Sequence, residues 1–315
     1  MFEYMNSLGS QKIPFLFVIS YDKQEVFVQE LESLDSDIYY KLQKRRNYPR
    51  KPINKSYYLH KYPIDYTTYQ KSIKLVKEQI KQGNTYLLNL TFQTPIESDL
   101  SLLEIFRYSR AKYKLYFKDK FICFSPERFV LIEDKIISTY PMKGTIDASL
   151  PNAKEQILND TKEMAEHTMI VDLMRNDLGI VGNKVRVEKF RYIDKIKAGN
   201  KELLQVSSKI TASLQSSWHS HIGDILDSIT PAGSITGTPK KKTVEIIDDI
   251  EDYDRGFYTG VFGIYDGVSL DSAVMIRFIE QQQDKLYYKS GGGITIDSTP
   301  QSEYKELIDK IYLPI

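Results

Sequence analysis

GFYTGVFGIYDGVSLDSAVMIRFIEQQQDKLYYKS, residues 256–290, reads as three strands in succession. Residues 256–265, 272–280 and 285–290 are rich in β-branched and aromatic side chains, and the gaps between them suit hairpins. Strict strand–helix alternation, the mark of a parallel sheet, is missing. The same grouping recurs upstream in residues 121–124, 129–133 and 136–140, and again in 184–192 and 203–214. Strands in hairpin-joined groups predict an α+β fold with large antiparallel sheets.

Helices fall between these groups. Tyr66, Tyr69, Ile73, Val76 and Ile80 recur at spacings of three and four, and Gly83 supplies a stop. Residues 102–108, 152–178 (with a break near Asn159 and Asp160), 222–229, 239–251 and 300–313 also read as helical. The chain is expected to open on strands, residues 13–20 and 24–29. A basic stretch with no acidic residue then runs from Lys41 to Tyr62. It reads as a solvated connection, because no nucleic-acid-binding fold surrounds it.

Composition narrows the function classes. Across 315 residues, 43 Lys and Arg stand against 42 Asp and Glu, a formal charge of +1, so no global field draws the chain to nucleic acid or anionic membrane. Cys123 is alone, which excludes an internal disulfide and a cysteine zinc site and fits a reducing, cytoplasmic location. Apolar runs such as residues 15–19 are too short to span a bilayer, and residues 1–12 lack the pattern of a signal peptide.

Three constellations carry possible chemistry. Ten of the 16 glycines lie from Gly223 onward, clustered in residues 231–240, 256–267 and 291–293. Two clusters lead to Thr238-Pro239 and Thr299-Pro300, each read as an N-cap followed by Pro at the first helical position, where free N–H groups suit an anion. Glu163 and Glu166 share one helix face, and Glu303 and Glu306 repeat the spacing. Each pair alone reads as a solvated face; brought together they form an oxygen-rich site suited to Mg²⁺. Asp160 and Glu163 have the spacing of a capping box. Finally, Glu127 lies in SPERF (125–129) and Lys143 in PMKGT (141–145). A Lys against apolar surface can shed its proton and attack as a nucleophile, and a buried Glu can stay protonated and act as an acid.

In order along the chain, residues 83–91, SPERF, PMKGT, EHTMIVDLMRNDLG (166–179), PAGSITGTPK (231–240), 255–263, Ile276-Arg277 and 291–306 resemble the chorismate-utilising enzymes. The resemblance runs from about Tyr66 to the C-terminus. It implies an antiparallel, sandwich-like core flanked by helices, and dependence on Mg²⁺. Within the family, Lys143 looks like the nucleophile of the aminodeoxychorismate synthase type, where anthranilate synthases carry Ala. Isochorismate and salicylate synthases carry a general-base Lys at the position matching Leu87, which cannot take a proton from water. Leu87 and Leu204 depart from the Gln and His that many relatives carry.

The resemblance implies that chorismate and ammonia give 4-amino-4-deoxychorismate, with Lys143 as nucleophile and Glu127 as general acid. It places Mg²⁺ on Glu166 and Glu306, assisted by Glu163 and Glu303. Tyr258, Arg277, Ser234, Thr236, Gly237, Gly292 and Gly293 are the matching substrate contacts. A separate glutamine amidotransferase subunit is the implied ammonia source. Alternatives are an anthranilate synthase and, given Leu87 and Leu204, a non-catalytic chorismate-binding subunit. The division expected is a short N-terminal part, residues 1–62, packed on a catalytic core, residues 63–315. A complete tryptophan pocket and a fused amidotransferase or lyase domain are not expected.

Overall fold

A computed structural model describes residues 1–49, 56–198 and 201–315. Two nine-stranded sheets built by antiparallel pairing form the framework. The first runs Met142–Asp147, Lys201–Ser213, Ile136–Thr139, Arg128–Glu133, Leu270–Val274, Val261–Tyr265, Phe15–Ile19, Val26–Glu30, with Asn183–Ala198 also on Lys201–Ser213. The second runs Gly237–Thr238, Leu87–Ser98, Lys285–Ile294, Phe278–Gln282, Phe121–Ser125, Tyr113–Phe117, Ile38–Leu42, Arg45–Arg46, with Leu59–Lys61 also on Leu87–Ser98. This is the antiparallel α+β architecture that the grouped strands predict.

Burial explains the sequence of the central strands. All five residues of Phe15–Ile19 are buried. Leu16 and Val18 face the second sheet, packing in one cluster with Ile38, Leu115, Cys123 and Phe278. Phe15, Phe17 and Ile19 face away, toward Leu8, Ile222 and Leu226 of two helices, Phe2–Ser10 and Ile222–Ile229. A strand covered on both faces has no solvent side, so its sequence is an unbroken apolar run and not an alternation. The far face of the second sheet is closed by Ile105 and Phe106 of the helix Leu102–Tyr108, packed on Tyr116, Ile122 and Tyr288.

Twice in neighbouring positions the chain passes from one sheet to the other. After Phe121–Ser125 it turns through Pro126 and Glu127 into Arg128–Glu133, and after Leu270–Val274 it turns through residues 275–277 into Phe278–Gln282. The corners touch: Phe124 N donates to Arg277 O at 3.2 Å, and Val274 N to Glu127 O at 3.3 Å. Arg277 holds φ +53°, a left-handed conformation that residues other than glycine rarely adopt. Such sheet-switching bends aim side chains into the space between sheets.

Several expectations are corrected. The chain opens on the helix Phe2–Ser10, not on a strand; it has no side-chain cap and exists because Met5 and Leu8 bury against the body. The strand Tyr113–Phe117 was not expected. Parts of the basic stretch are strands, Ile38–Leu42, Arg45–Arg46 and Leu59–Lys61, while residues 50–55 of it lie outside the described residues. Thr238 does not cap a helix. It lies in the strand Gly237–Thr238 against Leu87, its carbonyl taken by Tyr86 N at 2.9 Å, and Pro239 itself precedes the helix Lys240–Ile250. Thr299 and Pro300 do open Pro300–Asp309 as cap and first residue, although the Thr299 side chain makes no cap bond.

Candidate active site

Leu87, Asn89, Glu127, Met142, Lys143, Glu166, Ile170, Ser234, Thr236 and Gly293 line one cavity of about 80 Å³. It gathers elements of both sheets. Leu87 and Asn89 come from Leu87–Ser98, Gly293 from Lys285–Ile294, and Met142 and Lys143 from Met142–Asp147. Glu127 comes from a sheet-switching corner, and Glu166 and Ile170 from the helix Thr161–Val181. A wider groove of about 310 Å³ on that helix meets Val171, Val187 and Phe190. Its Asp172 and Arg175 pair with each other at 3.0 Å.

Glu127 is closely surrounded by protein, and burial raises its carboxyl pKa against the opposing Ser234 hydroxyl and Lys310 charge. Ser234 Oγ donates to Glu127 Oε1 at 2.5 Å. A carboxyl held toward its protonated form at a cavity wall is the right state for a general acid.

Lys143 stands at the cavity wall. It sits on a strand, with Nζ 2.8 Å from Glu166 Oε2. Burial pulls its pKa down, but Glu166, Glu306 and Glu163 outweigh burial and raise it. Carboxylates and not apolar surface dominate the neighbourhood of Lys143, and they favour its ammonium form.

The two acidic pairs do converge, since all of Glu163, Glu166 and Glu306 act on Lys143, and Lys143 acts on Glu303. Burial raises the pKa of Glu163 and of Glu303, whose Oε1 accepts from Ser298 Oγ at 2.8 Å. For Glu306 burial is overcome by Lys310, Nζ 2.6 Å away, and its pKa falls. The capping box forms by half: Asp160 accepts from Glu163 N at 2.9 Å. The Glu163 side chain turns instead toward Gly144, its Oε2 buried without a partner.

Among the described residues no three acidic, His or Cys side chains stand close enough to form a ready metal cage. The donor set nevertheless fits Mg²⁺. It is all oxygen, it holds an unpartnered buried carboxylate oxygen, and ammonium groups already sit on Glu166 and Glu306 where a cation would.

The remaining predicted residues divide. Ser234, Thr236 and Gly293 reach the cavity. Thr236 Oγ1 is already committed to Ala232 O at 2.8 Å. Gly292 lies beside the acids, where an added Cβ would meet Lys310 Nζ at 3.6 Å and Glu303 and Glu306 oxygens at 3.7 Å. Gly237 has a steric duty: at φ +135° its Cβ would sit 1.9 Å from Leu87 O. Tyr258 is buried, and its pKa is raised, by burial first. Arg277 stacks over Tyr312 at 5.3 Å with a buried, unpartnered Nε. Leu204 is buried opposite Ile146 and is not part of the cavity wall, unlike Leu87.

Sequence reading missed Asn89, Met142, Ile170 and Lys310. Two signals were available. Asn89 is two residues from Leu87 and so shares its strand face, and Lys310 is four residues from Glu306 and so shares its helix face. Lys310 also donates to Gly291 O at 2.7 Å, and burial lowers its pKa.

Among the described residues no helix is long and apolar enough to cross a membrane. A Haemophilus influenzae protein described as an uncharacterized PabA-like protein is 50% identical over 99% of this chain and 96% of its own length. Aminodeoxychorismate synthase component 1 of Salmonella typhimurium is 34% identical over 77% of this chain, which spans 56% of that protein. The structure of MenF, the menaquinone-specific isochorismate synthase of Escherichia coli, superposes with a TM-score of 0.73 at 15% identity, covering 98% of this chain and 79% of that one, a likeness of fold alone. The model of the chorismate binding enzyme family matches residues 12–314. With that match spanning both sheets and every wall of the cavity, the chain belongs to the chorismate binding enzyme family.

Proposed function

We propose that this chain is an aminodeoxychorismate synthase component, a transferase that converts chorismate and ammonia to 4-amino-4-deoxychorismate and water. The carrying observation is that Lys143 and Glu127 line one cavity with Glu166. Similarity to aminodeoxychorismate synthase component 1 supports the reading. Leu87, Met142 and Ile170 add an apolar wall with no base to activate water. Mg²⁺ on Glu166 and Glu306, with Glu163 and Glu303 beside them, would polarise the ring carboxylate as a Lewis acid.

The chain's own groups then act in order. Lys143 attacks only as the free amine, so its proton leaves first, to water. The amine forms a bond to ring carbon 2, the double bonds shift, and the carbon 4–oxygen bond breaks. Glu127 gives its proton to the departing hydroxyl, which leaves as water. Ammonia bonds to carbon 4, the double bonds return, Lys143 departs and takes the extra proton of the new ammonium, and water reprotonates Glu127. Covalent catalysis divides one substitution into two easier ones. Arg277 and Tyr258 hold the enolpyruvyl carboxylate, Arg277 through a two-pronged bond. The ammonia source is a separate glutamine amidotransferase chain.

The test is turnover of chorismate with an ammonium salt and Mg²⁺, with products identified by mass. The expected product is 4-amino-4-deoxychorismate, lost in Lys143→Ala. Anthranilate as product, or full activity in Lys143→Ala, overturns the assignment.

A further inference from the structure

The strand that carries Lys143 departs from regular pairing at that residue. Met142 pairs with Ser207 and Thr145 with Gln205, so Lys143 and Gly144 oppose Val206 alone. Two residues against one is a β-bulge, which bends the strand and re-aims a side chain. Gly144 takes φ +93° there. A bulge also leaves backbone groups outside the ladder, and Gln205 attends to one of them. Its Nε2 donates to Gly144 O at 2.8 Å, with a longer contact to Val206 O at 3.3 Å. Its Oε1 accepts from Thr145 Oγ1 at 2.9 Å. Both ends of the carboxamide are used, one on each residue that follows Lys143.

Glu163 lies close to Gly144 as well, since a Cβ there would meet Glu163 Oε2 at 2.9 Å. The Gly144 peptide is thus held between Gln205 and Glu163, and its rotation would move the Lys143 side chain against Glu166. We propose that Gln205 is a positioning residue for Lys143: its carboxamide locks the bulge and so fixes where the amine points. This rests on the reading of Lys143 as the nucleophile. Displacement of a reacting atom by about 1 Å can cost on the order of 100-fold in rate, so a loosened bulge is expected to show in kcat.

Two measurements on the full chain test this, one independent of activity. In the metal-free protein, trace acetylation followed by peptide mass analysis reads the reactivity of Lys143 relative to the surface residue Lys135. Gln205→Leu, which removes all three hydrogen bonds of the carboxamide at similar volume, is expected to change that ratio at least threefold. Thr145→Val, which removes one, should change it about twofold. In turnover, Gln205→Leu should lower kcat about tenfold while KM for chorismate stays within twofold. An unchanged Lys143 ratio in folded Gln205→Leu overturns the proposal, as does a kcat within twofold of the parent. If Gln205→Leu does not fold, an unchanged ratio in Thr145→Val overturns it. A changed ratio in a protein that never consumes chorismate upholds the role of Gln205 and removes the proposed function.

Discussion

Glu251→Gln is expected to destabilise the protein by about 3–5 kcal/mol, the range for uncoupling a buried ion pair. The Glu251 and Arg255 side chains are 2% and 3% exposed. Arg255 Nε and one terminal nitrogen each meet a Glu251 oxygen at 2.7 Å. Glu251 Oε1 also accepts from Thr91 N at 2.7 Å and Thr91 Oγ1 at 2.8 Å. The other Arg255 donors hold Asn89 O at 2.6 Å and Ile235 O at 3.1 Å, so the pair ties the Leu87–Ser98 strand to the Ser234 turn at the cavity. A glutamine keeps an oxygen for Thr91 but sets an amide donor against a guanidinium donor and leaves Arg255 charged and unneutralised. With a slope of about 3 kcal/mol/M, the urea midpoint should fall by roughly 1–2 M with the slope unchanged. The assay is equilibrium unfolding followed by circular dichroism. A loss below about 1 kcal/mol at unchanged slope would refute the claim that this pair clamps the two segments.

Gly237→Ala should cost roughly 2–5 kcal/mol, combining left-handed strain with overpacking against Leu87 O, and should reduce chorismate turnover by shifting Leu87. A thermal midpoint within about 1 °C of the parent contradicts this. His167 is buried with Nε2 2.7 Å from Ser208 Oγ, and burial, opposed by the Lys143 backbone and aided by Arg191, lowers its pKa to about 4. Its folded value lies below the ordinary 6.5, so the neutral ring contributes stability that is present above pH 6.5 and lost as pH falls toward 4. His167→Gln should flatten the stability profile between those values; an acid slope equal to the parent's counts against the assignment.

Elements with strong local periodicity were legible in the sequence. Tyr66–Lys81 follows its three-and-four spacing, with Asp65 capping Thr68 N at 3.0 Å, and Leu102–Tyr108 begins on a full Ser101–Glu104 capping box. Local pattern failed where distant packing decides. Phe2–Ser10 has an unremarkable composition and is helical because Met5 and Leu8 find a core. Thr238-Pro239 and Thr299-Pro300 look alike as text, yet Thr238 is drawn into a strand by Leu87. The acids and Lys143 stand in motifs that the sequence shows, but the charge around Lys143 does not show there. That depends on Glu306, which only the fold brings within range. Gln205 was invisible for the same reason, since a bulge is a property of two strands and not of one.

The pairing of early with late strands sets an order of events in synthesis. Phe15–Ile19 waits for Val261–Tyr265, and Leu87–Ser98 waits for Lys285–Ile294, which occupies most of its edge. Until residues 261–294 have left the ribosome, two apolar edges stand open, and open edges are templates for misassociation. Glu303 and Glu306 arrive later still, on the closing helix. A nascent chain can therefore carry its complete Lys143 strand and still lack the Gly293 wall of the cavity and the acids of Pro300–Asp309.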